Sequence, residues 1–157
     1  MNEKFSVEGL RAFAQSIVDG SAEKYLKSEP LPDADDGEPV RTVVGKNFDD
    51  VVTNSKQDVF IEFYAPWCGH CKNLAPKWKE LAEALADVDS ITIAAMDATA
   101  NDFPKSYQVS GFPTLYLKKA SGELVSYNGG REVAAMKKWL KENTTHKLGA
   151  LPAKDEL

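Results

Sequence analysis

Cysteine is scarce in this sequence, and its two cysteines, Cys68 and Cys71, lie only three positions apart. A small secreted scaffold held together by disulfides needs more cysteines, spread along the chain, so that class of protein is excluded. Histidine is equally scarce, with two residues in 157. Zinc would need two further ligands beside the cysteine pair, and only His70 and His146 remain, which makes a metal site the weaker interpretation.

Long apolar runs are also missing. No run approaches the roughly 20 residues that a membrane-spanning helix needs, and the first 25 residues lack the compact apolar segment of a signal peptide. The formal net charge of −5 is fully accounted for by five acids within residues 28–40, a stretch without lysine or arginine. The remainder is neutral overall, which argues against nucleic acid as a main partner and, with the missing apolar run, against membrane insertion.

Composition divides the chain into four parts. Residues 1–27 contain an amphipathic helix over 6–19, which either packs on the main domain or comes from a preceding one. Residues 28–40 combine three prolines with the acids and predict an extended linker, with a surface loop as the alternative. A folded domain is expected over 41–145, followed by a tail over 146–157.

The 41–145 domain alternates between strand and helix patterns, which predicts an α/β fold with a mixed sheet. The run Asp58–Ala65 is nearly all apolar and rich in β-formers, as expected of a central strand covered on both faces. The other predicted strands are 41–44, 91–96, 114–118 and 124–127, the last two joined as a hairpin; the predicted helices are 47–53, 69–86, 101–107 and 132–141.

The two cysteines fall where the central strand passes into the long helix. Unpaired N–H groups and the helix dipole favour a thiolate there, so Cys68 is predicted to be the nucleophile with a lowered pKa. Cys71 lies one turn further in and is predicted to be the buried, resolving thiol. His70 adds a second electropositive neighbour. A purely structural disulfide is the alternative, but so small a loop contributes only about 2 kcal/mol.

The segment Tyr64–Lys72 (YAPWCGHCK) resembles the active-site motif of the protein disulfide isomerase family. Further matches are Gly111-Phe112-Pro113-Thr114, Gly129-Gly130-Arg131 and Asp97-Ala98-Thr99, so that the resemblance covers about residues 41–145. It implies a thioredoxin-like fold, with a central mixed β-sheet flanked by helices on both faces. The acidic linker and preceding helix resemble the junction into the last catalytic domain of the multidomain enzymes.

The resemblance also implies supporting residues. Glu62 would shuttle a proton for the buried cysteine, Arg131 would approach that cysteine during turnover, and Pro113 would follow a cis peptide bond in the substrate-binding loop. Glu62 could instead extend to solvent from a strand end, and Arg131 could be an ordinary surface arginine. The family usually has a lysine paired with this glutamate, two residues before the Asp-Ala-Thr stretch; here that position is Ala95.

The resemblance also implies that Trp67 and Phe112 provide apolar contact with substrate. The closing residues Lys154-Asp155-Glu156-Leu157 match an endoplasmic reticulum retention signal, which a receptor reads. The sequence therefore predicts a luminal enzyme that forms, reduces and rearranges disulfides in secretory proteins as they fold. It would need no cofactor and would exchange electrons with glutathione or a luminal thiol oxidase. A thioredoxin-type reductase and a chaperone-like binding module are the competing functions.

Overall fold

Five strands form one sheet in the computed structural model, which describes residues 6–21, 25–33 and 37–148. In chain order they are β1 (Arg41–Thr42), β2 (Asp58–Tyr64), β3 (Ile91–Asp97), β4 (Thr114–Lys118) and β5 (Leu124–Tyr127). Across the sheet the order is β1-β3-β2-β4-β5; β1, β3 and β2 are parallel, and β4 and β5 continue antiparallel. The predicted α/β class with a mixed sheet is confirmed.

The central strand β2 is buried on both faces, because β3 and β4 flank it and side chains cover it from above and below. Its alternation sends Phe60 to one face and Ile61 and Phe63 to the other, each into a separate apolar cluster. Glu62 follows the parity of Phe60 and is 4% exposed. Of the two buried acids on this strand, Asp58 at its start accepts hydrogen bonds from Ala120 and Thr145, whereas Glu62 enters the apolar layer directly before the cysteines.

The described residues contain three α-helices: α1 (Val7–Val18), α2 (Gly69–Ala84) and α3 (Val133–Asn143). The second and third cover the Phe60 face, where the Trp78 ring lies 4.8 Å from the Phe60 ring. Within the described ranges, no helix is both long and apolar enough to cross a membrane. The residues buried in this layer from α2 and α3 are Leu74, Trp78, Leu81, Ala82, Met136 and Leu140.

Short helical turns and a loop cover the opposite face. A 3₁₀ turn (Gly45–Asn47) leads into a π-helix (Asp49–Thr53), so helices do flank both faces, the second one only briefly. The helix predicted over 101–107 is wrong: the segment consists of turns and irregular backbone. Pro104 accounts for this, because it has no backbone N–H and disfavours helical geometry in the residue before it.

The segment ahead of the domain behaves differently in its two described parts. Helix α1 is capped by Ser6, whose hydroxyl accepts the Gly9 N–H at 3.0 Å, and it buries no side chain. Residues 25–33 contain no helix or strand, yet Lys27 bonds to Asp102 through both its N–H and its carbonyl. Glu29, within the acidic segment 28–40, donates its N–H to Asn101, so this segment also contacts the loop that follows β3.

Candidate active site

The two cysteines lie where β2 passes into α2. Cys68 is the N-cap residue of α2, with extended backbone at φ −80° and ψ 117°. Its sulfur accepts the backbone N–H of Cys71 at 3.3 Å, which is the bond that a serine or threonine cap would accept. Cys71 lies one turn into the helix, and both thiols are free and buried. The helix start therefore supplies a donor to one of the two sulfurs.

The electrostatics separate the two thiols. The pKa of Cys68 is lowered, first by the hydrogen bond from the Cys71 thiol and then, against some desolvation, by the N–H groups of Cys71 and His70 and the charge of Arg131. Burial and the same thiol–thiol bond raise the pKa of Cys71 to about 11. Of the two thiols, Cys68 therefore ionises first, and Cys71 keeps its proton at neutral pH.

An aromatic pair and a loop carbonyl surround Cys68. The rings of Trp67 and Phe112 meet edge to face at 5.8 Å, and Trp67 is 71% exposed. The Phe112 carbonyl accepts the Cys68 thiol at 3.6 Å, and the Phe112-Pro113 peptide bond is cis, as the resemblance implied. The structure therefore brings Phe112 against Cys68 and Trp67 against Phe112, and Pro113 follows Phe112 in the same loop.

Glu62 lies on the other side of the pair, at a cavity of about 390 Å³ that Cys71 and Ala95 also line. Its Oε1 atom is buried and accepts no hydrogen bond from the part of the chain that the structure describes. Burial raises the pKa of Glu62 to about 7, although the positive charge of Arg131 lowers it in part. Ala95 is the register partner of Glu62 on β3, so the position where the family usually has a lysine holds an uncharged methyl group that lines the cavity.

Arg131 directly precedes the residue that caps α3, in a loop that Tyr127 fixes. The Tyr127 hydroxyl donates to the Gly130 carbonyl at 2.5 Å, and a Cβ atom on Gly129 would come within 2.6 Å of that hydroxyl oxygen. The loop therefore requires glycine at position 129. Arg131 and Pro113 line a small hollow of about 170 Å³, and the arginine's charge acts on both Glu62 and Cys68.

The His70 side chain is exposed, and no hydrogen bond connects it to either sulfur among the described residues. Its contribution to Cys68 comes from the backbone N–H, which lowers the pKa of that thiol. Across the described ranges, no three His, Cys, Asp or Glu side chains come together in a way that could hold a metal ion.

Two features of this site have no local signal in the sequence. One is the cavity, because Glu38, Val40 and Thr42 form part of its wall by folding across α2. The other is the carbonyl contact to Cys68 from Phe112, which lies 44 residues further along the chain. Only the spacing of the matched motifs, read as a resemblance, placed this loop beside the cysteines.

This chain is similar to a family model and to several known proteins. The Thioredoxin family model matches residues 39–142. Protein disulfide-isomerase A3 of Gallus gallus is 54% identical over 151 residues, covering 92% of this chain and 29% of that protein. Probable protein disulfide-isomerase ER-60 of Schistosoma mansoni is 45% identical over 148 residues, covering 93% of this chain and 30% of that protein. The chain thus spans less than a third of the length of these two curated relatives.

A solved structure extends the comparison to the fold. The solution structure of the first thioredoxin domain of mouse protein disulfide-isomerase A4 matches with a TM-score of 0.61 and 31% identity. The match covers 88% of this chain and 93% of that domain. The predicted thioredoxin-like fold is therefore confirmed.

Proposed function

Because the chain belongs to the thioredoxin family, we propose that it is a protein thiol–disulfide oxidoreductase and isomerase that works through the Cys68–Cys71 pair. One observation carries the proposal: Cys68 caps a helix beside the exposed Trp67 and the half-buried Phe112, with a lowered pKa, while the pKa of Cys71 is raised. A thiolate is the attacking species in disulfide exchange, so this asymmetry assigns the two roles. The protein disulfide-isomerases among its relatives support the exchange activity.

In the reducing direction, the Cys68 thiolate attacks one sulfur of a client disulfide. The client S–S bond breaks, the second client sulfur leaves as a thiolate, and a mixed disulfide forms on Cys68. Cys71 then loses its proton and attacks the Cys68 sulfur, which releases the client as a dithiol and leaves Cys68 and Cys71 joined. The two electrons gained by the client come from the cysteine pair, and the reverse sequence oxidises a client.

The resolving step needs a base, and we assign Glu62 to it. Cys71 and Glu62 line the same cavity, and a carboxyl group with a pKa of about 7 is better matched to a weakly acidic thiol than an ordinary one. Arg131 supports the step through its positive charge, which acts on Glu62 and Cys68. The backbone N–H of His70 also favours the Cys68 thiolate.

Substrate contact is assigned to the aromatic surface beside Cys68. Trp67 provides exposed apolar area beside the half-buried ring of Phe112, and the backbone around Pro113 can pair with an extended client segment as an added strand. The clients are unfolded or partly folded secretory proteins. Glutathione or a luminal thiol oxidase returns the pair to its disulfide form.

The setting that we propose is the endoplasmic reticulum lumen. The Lys154-Asp155-Glu156-Leu157 sequence supports it as a retention signal for the KDEL receptor, and it lies outside the described residues. The acidic segment and α1 resemble an interdomain junction, which supports a place as the last catalytic domain of a longer protein. In this division 1–27 is the end of a preceding domain, 28–40 the linker, 41–145 the catalytic domain and 146–157 the tail.

Trapping of the mixed disulfide tests the proposal. With a disulfide-bonded client peptide, Cys71→Ser should accumulate a covalent complex through Cys68, because the first attack proceeds and resolution does not. Cys68→Ser should give no complex, and the double variant is the matched blank. Complexes through Cys71 in the Cys68→Ser variant, with none through Cys68, would reverse the two roles.

Equilibration with a glutathione buffer separates isomerase from reductase. The reduction potential is about −270 mV for thioredoxin and about −180 mV for protein disulfide isomerase. A lowered Cys68 pKa stabilises the reduced form, so we expect a potential near the upper value. A value near that of thioredoxin would favour the reductase instead.

A further inference from the structure

The cavity behind the cysteine pair is large enough to hold a small organic molecule. Its volume of about 390 Å³ falls within the range of roughly 300–1,000 Å³ that is typical of ligand sites. Sheet, helix and the segment before β1 each contribute to its walls, which are mainly apolar. The apolar lining residues are Val40, Ala65, Pro66, Ala75, Trp78 and Ala95.

One strongly polar atom inside this lining has no partner. Oε1 of Glu62 is buried and accepts no hydrogen bond from the described part of the chain, and the residue as a whole is 4% exposed. Buried carboxylate oxygens normally have donors, because leaving one without a donor costs free energy. The cavity therefore offers an acceptor for a donor group that its own walls do not supply.

The surrounding charges indicate which donor fits. Three cations face this region, Lys72 and Lys79 on α2 and Arg131 ahead of α3, and all three are exposed to solvent, which screens them. Lys79 is also engaged by Glu38 at 3.3 Å, at the rim. Glu62 is the buried charge, so the interior of the cavity favours a cation and disfavours an anion.

We propose that this cavity binds a small amphipathic cation, a primary ammonium group on a short apolar chain, with the ammonium group donating to Glu62. The apolar chain packs against Trp78 and Ala95, and the cavity opens beside Lys72 and Lys79. The contact places a bound cation next to the thiol of Cys71. This inference stands independently of the proposed exchange activity, because it concerns binding alone.

Titration of the full chain in its dithiol form with n-butylammonium chloride tests the inference. We expect saturable NMR shifts of the Trp78 indole and the Ala95 methyl, with a Kd on the order of 1 mM for so small a ligand. The neutral isostere butan-1-ol should bind at least about tenfold more weakly, because it lacks the charge that pairs with Glu62.

The affinity should depend on pH. Since Glu62 has a pKa of about 7 and the amine stays protonated, raising the pH from 6 to 8 increases the ionised fraction and should tighten binding about tenfold. The Tyr64 and Cys71 groups that also face the cavity have raised pKa values and stay neutral in this range. The measurement is repeated in Cys68→Ser, which removes the titration of that thiol.

Two variants complete the test. Glu62→Gln should remove the preference for the amine over the alcohol, and Ala95→Leu should abolish the binding of both by filling the space. Equal affinity for amine and alcohol in the parent chain, or an affinity independent of pH, overturns the inference without relying on any variant to fold. An inactive chain that binds the amine overturns the exchange activity and leaves this inference standing.

Discussion

At the scale of single residues, Cys68 and Cys71 have the same side chain but opposite pKa shifts, because they occupy different positions at the start of α2. A single thiol–thiol hydrogen bond lowers the pKa of the first and raises that of the second. Burial one turn inside the helix is the larger cause of the raised Cys71 pKa, while the helix start donates N–H groups to Cys68. The remaining problem for exchange is the Cys71 proton, and Glu62 is the group placed to take it.

We predict that Glu62→Gln slows resolution of a Cys68 mixed disulfide by roughly 100-fold, the usual scale of a lost general base. The first attack by Cys68 should change little, because the thiolate there depends on α2 and not on Glu62. Stopped-flow measurement of both steps over pH 5 to 9 separates them. Resolution at the parent rate throughout that range would mean that the proton leaves by another route.

A substitution at position 95, on the neighbouring strand β3, tests the role of the Glu62 pKa. In Ala95→Lys the new ammonium group shares the cavity with Glu62. A nearby opposite charge favours the ionised carboxylate and lowers the pKa of a carboxyl group by about 1 to 3. The lower limb of the pH–rate profile for resolution should move to lower pH by a similar amount. Ala95→Met, of similar length and without charge, is the matched control and should leave that limb in place.

At the scale of elements, Asn101 holds the acidic segment to the domain. Its Oδ1 accepts the N–H groups of Glu29 at 2.8 Å and Gly45 at 3.0 Å, and its Nδ2 donates to Glu29 and to the Asp97 carbonyl. Asn101 is 3% exposed, so water has little access to replace these hydrogen bonds. One amide thus links the segment before β1, the 3₁₀ turn and the end of β3.

We expect Asn101→Ala to lower the free energy of unfolding by about 2 to 4 kcal/mol, because it leaves several buried donors and acceptors unpaired. Gly45→Ala should release the same segment by another route, since its Cβ would lie 2.7 Å from the Lys27 carbonyl oxygen. Urea unfolding measures both. The exposed Asn128, with a single bond to Ser126, is the control, and Asn128→Ala should stay within about 0.5 kcal/mol.

Truncation distinguishes α1 from the segment that follows it. Deleting residues 1–21 should change the free energy of unfolding by less than about 0.5 kcal/mol, because α1 buries no side chain. Deleting residues 1–29 should cost about 1 to 3 kcal/mol, because the contacts of Lys27, Ser28 and Glu29 are lost as well. Turnover of a small disulfide substrate should survive both deletions. A large loss of stability on the first would show that α1 packs on the domain.

The elements that the sequence predicts well are those whose signal is local. The apolar run of β2, the cap and motif at the start of α2, and the glycine turn between β4 and β5 each lie within a few residues. The failed helix at 101–107 is different: Asn101 takes its partners from residues up to 72 positions away, and Pro104 interrupts the backbone pattern. The cavity has the same origin, since it needs residues 38–42 folded against α2.

At the scale of the whole molecule, the site depends on the sheet. Strand β2 carries Glu62 and ends at the motif, β3 places Ala95 beside it, and β4 begins at the loop that contacts Cys68. The acid is therefore part of the core of the domain as well as part of its chemistry. A group in that position has to affect the stability of the entire fold.

The final prediction follows from that double role. Glu62 has a pKa of about 7 when folded and an ordinary value of 4.5 when unfolded, so between these values the folded chain holds a proton that the unfolded chain has lost. The free energy of unfolding should therefore fall by about 1.4 kcal/mol per pH unit from this group, about 3 kcal/mol in all, as the pH rises through that window. Stability that is present at pH 4.5 is lost by pH 8.

Glu62→Gln removes this slope, because glutamine has the shape of the protonated acid and never ionises. Urea unfolding at pH 4.5, 6, 7 and 8 should show the variant gaining on the parent by about 3 kcal/mol from the lowest to the highest pH. Taking the difference cancels every other titrating group, and Glu80→Gln on the exposed side of α2 is the matched control that should show no gain. Parallel curves for parent and Glu62→Gln would mean that Glu62 ionises as freely in the fold as outside it, and the base assigned to Cys71 would then be an ordinary carboxylate.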